Sequence, residues 1–172
     1  MPAARPPIRG QRVVLEPVAH EQVRAFLAGD FCGFRPGDGW PLAETMPGSP
    51  PWRLSLKFDI EVNWLVLVDG TVIGDCFTHG GADEAGDIEI GYALAEPYRR
   101  QGYGTDLVAV LSAWLLEHDG IERVVARNID AANTGSRRAL ERAGFELEWD
   151  RGDLVAYVLA KPVAERRRRA EH

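Results

Sequence analysis

The sequence predicts a single α/β (α+β) domain built on one mixed sheet with helices packed against it. Three observations carry this. "VNWLVLVDGTVIGDCFTH" (62–79) places Asp69 and Gly70 between two apolar runs, the strongest short-range hairpin signal. "DIEIGYAL" (87–94) runs into a glycine-bearing turn, then a helical pattern, then the apolar run 121–129, the order of a βαβ unit. A capped helix, "NTGSRRALERAGF" (133–145), leads into two closing strands, "FELEWD" and "DLVAYVLA". A length of 172 residues with 45% apolar and 27% charged side chains suits one self-sufficient core.

Taken in order, residues 1–8 are rich in proline and read as a flexible N-terminus, followed by a domain over 9–163 and a basic tail over 164–172. "RVVLEPV" (12–18) reads as a strand ending at Pro17. "HEQVRAFLAGD" (20–30) carries Val23, Phe26 and Leu27 at helical spacing and stops at Gly29. Residues 31–53 show no clear period, which marks a long loop with a short helix at most. The alternation of charged and apolar residues in 87–94 fits a half-buried strand. The helix predicted over Gly102–His118 aligns Leu107, Leu111, Trp114 and Leu115, with Gly120 placed to end it.

Charge and cysteine content narrow the function classes. The net charge is −6, but the last twelve residues hold five of the basic and two of the acidic side chains. The body, residues 1–160, therefore carries 15 basic against 24 acidic groups, a net of −9. That balance disfavours nucleic acid and suits a cationic small substrate, although acidity also serves solubility alone. No apolar run reaches the length of a membrane span, and "MPAARPPIRG" lacks a secretion signal, so no membrane partner and a cytoplasmic location are expected. Cys32 and Cys76 form no CxxC and have no spaced histidine partner, so no metal site is expected and both thiols read as free.

The junction "PYRRQGYGTD" (97–106) carries the chemistry. Strand gives way to glycine turn and then to helix, and the first N–H groups of such a helix have no intrahelical partner. They form an anion site at the positive end of the helix dipole. Gly102 and Gly104 let a phosphate approach, Arg99 and Arg100 add charge, and Thr105 offers a hydroxyl. Two familiar phosphate loops fit poorly: the lysine of GxxxxGK[ST] is absent, Asp106 following Thr105, and GxGxxG lacks its third glycine at Leu107. A plain strand–helix turn with two glycines is the alternative.

Arg99, Gly102 and Gly104 form R-x-x-G-x-G, which resembles the coenzyme A pyrophosphate loop of the GCN5-related N-acetyltransferase (GNAT) superfamily. "GQRVVLEPV", "IEIGYALAEPYRRQGYGTDLV" and "NTGSRRALERAGF", in that order, resemble the RimJ/RimL-type branch over nearly the whole chain. The resemblance implies a mostly antiparallel sheet, splayed where acetyl-CoA binds, with helices on both faces. It implies that pantetheine pairs with the backbone near Tyr92 and Leu94 and that the pyrophosphate meets the amides from Arg100 through Tyr103 to Thr105, with Arg99 or Arg100 supplying charge. Asn133 and Ser136 would lie near the pantetheine arm and the thioester. Asn133 also reads as a helix N-cap, and both roles are compatible.

Such an enzyme moves an acyl group from a thioester to an amine, which must first lose a proton. Glu89 is the first candidate for the base, since burial beside Ile88 and Ile90 would suit it to accept a proton near neutral pH; it can equally be a solvated strand residue. Asp87, His79 and Glu61 are weaker candidates, and backbone N–H groups near Leu94 would hold the oxyanion. Many members carry a tyrosine on the last helix to protonate the thiolate. Leu140 stands there, which leaves Ser136 or water for that role. Trp40, Trp52 and Asp87 are the candidate acceptor-binding residues, with Trp64 in the core. Asp83, Glu84, Asp87, Glu146, Glu148 and Asp150 are expected to cluster near the sheet ends, as cation attractors or as solvent-facing charges.

The expected activity is acetyl transfer to a primary amine of a small cationic acceptor, such as an aminoglycoside-like compound, by direct attack in a ternary complex. The alternatives are protein N-terminal acetylation of the ribosomal-protein-alanine type and a non-catalytic acyl-CoA-binding domain. A monomer or homodimer is expected.

Overall fold

The computed structural model describes residues 5–42 and 63–163, so Trp52, Glu61 and the basic tail lie outside the described residues. Among them the chain forms β1 (Ile8–Arg9), β2 (Val14–Val18), α1 (His20–Leu27), β3 (Arg35–Pro36), β4 (Asn63–Val68), β5 (Thr71–Thr78) and β6 (Asp87–Leu94). A 3-10 turn at Glu96–Tyr98 follows, then α2 (Tyr103–Leu116), β7 (Arg123–Asp130), α3 (Thr134–Arg142), β8 (Glu146–Asp150) and β9 (Leu154–Ala160). The strands join in one mixed sheet ordered β1-β2-β4-β5-β6-β7-β9-β8, with β3 attached to β5. Every pair along that order is antiparallel except β6–β7.

The expected hairpin joins β4 to β5. Asp69 (φ 49°) and Gly70 (φ 74°) both adopt the left-handed conformation, which matches the twist of the flanking strands. α1 ends before Gly29, whose φ of 86° suits a helix stop. β2 continues through Pro17 to Val18, where the sequence predicted its end at Pro17; Pro17 stands opposite Trp64 in the ladder with β4. Of the proline-rich segment, Ile8 begins β1. Ile8 is buried and pairs with Leu15, and the turn closes through the Gly10 N–H donating to the Val13 carbonyl at 2.8 Å.

Helices cover both faces. On one, Leu107, Val108 and Leu111 of α2 and Leu140 of α3 are fully buried against Trp64, Val66, Ile88 and Ile90. Each such side chain stabilises the fold by roughly 1.5–3 kcal/mol. On the other, Phe26 of α1 packs with Trp40, Leu42, Leu65 and Val72. β6 divides its side chains between these layers by strand alternation, with Ile88, Ile90, Tyr92 and Leu94 toward α2 and α3 and Asp87, Glu89, Gly91 and Ala93 toward the α1 side. No described helix is long and apolar enough to cross a membrane.

Candidate active site

β6 pairs with β7 only from Asp87 to Glu89, against Arg123 to Val125. Beyond that point the strands part, while β6 stays on β5 from Ile90 to Leu94. β7 then bends at an irregularity between Ala126 and Ile129, where Asn128 takes a left-handed φ of 55°. The result is a wedge-shaped cleft of about 230 Å³, with Gly91, Tyr92, Ala126, Asn133 and Ser136 on its walls. Ladder bonds at both ends of the β5–β6 pair (Ala95 N–H to Ile73, His79 N–H to Glu89) set the phase of the ladder. Antiparallel alternation therefore turns the backbone groups of Tyr92 and Leu94 away from β5, toward the cleft. An extended amide-bearing ligand fits there as an added strand. The Leu94 carbonyl already accepts the Arg99 Nε–H at 2.8 Å, which leaves its N–H as the open donor at that residue.

At the mouth of the cleft the chain passes through the 3-10 turn into α2. Arg100 (φ 61°) and Gly102 (φ 85°) are both left-handed, and Gly102 is the N-cap of the helix. Arg100 is a non-glycine residue in a costly conformation, which the surrounding turn must hold. The amides of Tyr103, Gly104 and Thr105 start α2 and lack intrahelical acceptors. Gly104 lies where α2 approaches α3, beside Ala139 and Leu94. A pyrophosphate fits this arrangement of glycine, exposed arginine and open amides.

Asn133 caps α3, its Oδ1 accepting the Ser136 N–H at 3.1 Å. The Ser136 hydroxyl lies 2.7 Å from the Tyr92 hydroxyl. Burial pushes the Tyr92 phenol up to about 12, against the opposing pull of that bond. Leu140 is wholly buried and presents nothing to the cleft. The sequence motifs named Tyr92 for its backbone; its hydroxyl partner was missed, because a pair 44 residues apart leaves no spacing signal.

On the opposite face of β6, Glu89 is half-buried and stands in register with exposed His79, whose N–H donates to the Glu89 carbonyl at 2.8 Å. Phe77 fills the space over Gly91 and meets the His79 ring edge-to-face, centroids 5.0 Å apart. The remaining acceptor candidates fare differently. Asp87 is buried and bound by the Arg123 guanidinium at 2.6 and 2.7 Å and by Arg127 at 3.1 Å, which hold its carboxyl below the usual carboxylate range. A doubly paired carboxylate is not available to an incoming ammonium. Arg127 also bonds Glu148 at 3.0 and 3.1 Å, Asp83 accepts the Ala85 and Asp87 N–H groups, and Asp150 accepts that of Gly152. Four of the six residues of the expected acidic cluster are thus spent on ion pairs and turns.

Trp40 is not an open wall either. It is buried and donates its indole N–H to Asp75 Oδ2 at 3.0 Å. Asp75, a residue the sequence did not single out, sits on β5 with its carboxyl pushed up to about 7 by burial, the Trp40 bond acting the other way. Beside it the buried Asn63 Nδ2 has no hydrogen-bond partner among the described residues.

Comparison with known proteins bears on the whole arrangement. The family model described as an acetyltransferase (GNAT) domain matches residues 12–146. An uncharacterized N-acetyltransferase of Bacillus subtilis (strain 168), YjdG, is 30% identical over 124 residues, 67% of this chain and 71% of its own. Among solved structures, AAC(6')-Ib in complex with acetyl-CoA superposes with a TM-score of 0.65 at 19% identity, covering 92% of this chain and 98% of that one. RimL, a ribosomal L7/L12 α-N-protein acetyltransferase in complex with coenzyme A, gives 0.62 at 18% identity, over 90% and 98%. These two likenesses are ones of fold.

Proposed function

The chain belongs to the GNAT acetyltransferases, and from that premise we propose that it uses acetyl-CoA to acetylate a primary amine of a small cationic acceptor, such as an aminoglycoside-like compound. The observation that carries the reading is the β6–β7 cleft, lined by His79 and by the hydrogen-bonded Ser136 and Tyr92 hydroxyls, with Glu89 opposite His79 in the β5–β6 ladder. The acidic body, net −9, supports a cationic acceptor.

In this reading the amides of Arg100 to Thr105, with Arg99 and Arg100, hold the pyrophosphate. The Tyr92 backbone and the Leu94 N–H hold the pantetheine amides, and Asn133 fixes the start of α3 so that Ser136 faces the thioester. Acetyl-CoA enters as substrate and supplies the activated acetyl group. Glu89, directly or through water relayed by His79, takes the proton from the acceptor ammonium. The free amine attacks the carbonyl carbon, an N–C bond forms as the C–S bond breaks, the Leu94 N–H stabilises the charge on oxygen, and the surplus proton on nitrogen passes to solvent. Ser136, oriented by Tyr92, gives its proton to the departing thiolate and regains one from solvent. The likeness to RimL supports a second acceptor class, a protein N-terminus.

Free-thiol release from acetyl-CoA against aminoglycosides, polyamines, amino acids and N-terminal peptides tests the reading. Turnover with polycationic small amines is expected. Acetylation of peptides with no small amine used overturns the first acceptor class in favour of the second. Running succinyl-CoA beside acetyl-CoA checks the donor.

A further inference from the structure

Asp106 is the residue that spoiled the phosphate-loop pattern, and its carboxylate has an occupation of its own. It accepts three successive backbone N–H groups from the β1–β2 turn: Gln11 at 3.0 Å, Arg12 at 2.7 Å and Val13 at 2.9 Å. The fit is close, because a Cβ on Gly10 would lie 2.8 Å from both carboxylate oxygens. The same turn sends the Arg12 side chain back over the loop. Its guanidinium stacks on Tyr103, 4.1 Å from the ring centroid, and donates Nη1–H to the Gln101 carbonyl. It also passes beside Gly102, where an added Cβ would stand 3.2 Å from Nη1.

These contacts grip the loop from both sides of its left-handed turn. Asp106 fixes the first turn of α2, and Arg12 fixes Gln101 and Tyr103. Arg100 contributes the costly left-handed conformation in this turn, and Gly102 takes the same region without strain. Within the loop, Gln101 also donates its Nε2–H to the Pro97 carbonyl at 2.8 Å, so the clasp from the β1–β2 turn adds to a local bond across Arg100.

We propose that Asp106 and Arg12 are positioning residues for acetyl-CoA: the β1–β2 turn clasps the loop 99–105 into its phosphate-ready shape. The proposal rests on the reading that this loop holds the pyrophosphate. It predicts a sign that simple electrostatics contradicts. An aspartate in the first turn of α2 repels a phosphate, so neutralising it should tighten coenzyme A binding. If the aspartate instead holds the loop, neutralising it weakens binding.

Calorimetry with coenzyme A on the full chain, well below the melting range, decides between the two. Asp106→Asn keeps one acceptor but brings an amide N–H against backbone donors, and it should weaken binding about tenfold. Arg12→Leu should cost a similar factor. Arg12→Lys should stay weak, since an ammonium keeps the charge but cannot stack and donate in the guanidinium's geometry. The losses should be equal for coenzyme A and 3′-dephospho-coenzyme A.

Unchanged or tighter binding by Asp106→Asn overturns the proposal, even if its melting temperature falls. Full rescue by Arg12→Lys, or a loss by Arg12→Leu confined to coenzyme A, overturns positioning by Arg12 in favour of direct phosphate attraction. If Asp106→Asn does not fold, Gly10→Ala decides: it crowds the same carboxylate without changing charge, and normal binding overturns the clasp. Gly102→Glu is run beside these. Normal coenzyme A binding by that variant overturns the pyrophosphate reading itself, whereas its loss together with normal Asp106→Asn and Arg12→Leu binding overturns only the clasp.

Discussion

The face of β6 turned to α2 and α3 and the face turned to α1 are built from different materials. The first offers backbone: cleft-facing groups at Tyr92 and Leu94, the opening amides of α2, and glycines that uncover them. The second offers side chains drawn from separate strands: Glu89, His79, Phe77 and the buried Asp75–Trp40 pair. A site made of backbone is specified by where side chains are missing, and it suits a ligand that never changes. A site made of side chains can be rebuilt position by position, which is what a changing acceptor requires.

The largest effect is expected where the backbone site is filled. Gly102→Glu puts a side chain at a left-handed φ of 85°, against Arg12 and in front of the amides. Acetyl-CoA affinity should fall at least about 100-fold, roughly 3 kcal/mol. Calorimetry checks this, with unfolding curves to confirm the fold.

Glu89→Gln acts on the other face and should separate the two. With Glu89 as base, kcat at neutral pH should fall by roughly 10²-fold while acetyl-CoA affinity stays unchanged. A normal rate and pH profile would transfer the role to His79, and His79→Gln is the paired measurement.

This contrast explains how much was legible in the sequence. Gly102, Gly104, Asn133 and the Asp69–Gly70 turn announce themselves, because their types answer local backbone demands. The splay of β6 from β7 was reached only through the family resemblance, since no residue in 87–94 marks the end of pairing at Glu89. The acceptor side was the least legible. Asp87 looked like a free carboxylate until Arg123 and Arg127, 36 and 40 residues away, were placed beside it. Trp40 looked open until Phe26, Leu65 and Asp75 closed around it. Asp75, in "IGDCF", has no local pattern to set it apart from a hairpin carboxylate.

Asp75 gives the α1 face a pH dependence. A carboxyl that binds its proton more tightly in the folded chain stabilises the fold while protonated. For Asp75 this contribution is complete below its ordinary pKa of 3.8 and is lost as pH rises through about 7. Stability should therefore fall between pH 5 and pH 8, by roughly 2 kcal/mol. Asp75→Asn keeps an acceptor for the Trp40 indole and should flatten the slope, leaving the variant more stable than the parent at pH 8. Denaturant unfolding at both pH values measures it, and equal slopes would show that Asp75 ionises at no cost.

The smallest effect should come from the Ser136–Tyr92 pair on the α2–α3 face, which the proposed reading sets at the leaving group. With its phenol pushed up to about 12, Tyr92 stays protonated throughout the working range. The protonated phenol can hold the Ser136 hydroxyl, 2.7 Å away. Coenzyme A thiolate leaves readily without help, so a donor here adds modestly to the rate. Ser136→Ala should lower kcat about tenfold, and Tyr92→Phe by a similar or smaller factor through a misdirected serine. Because the residues act as one unit, the double variant should be no slower than Ser136→Ala alone. Multiplicative losses would separate the two hydroxyls, and an unchanged kcat in Ser136→Ala would assign the thiolate's proton to water.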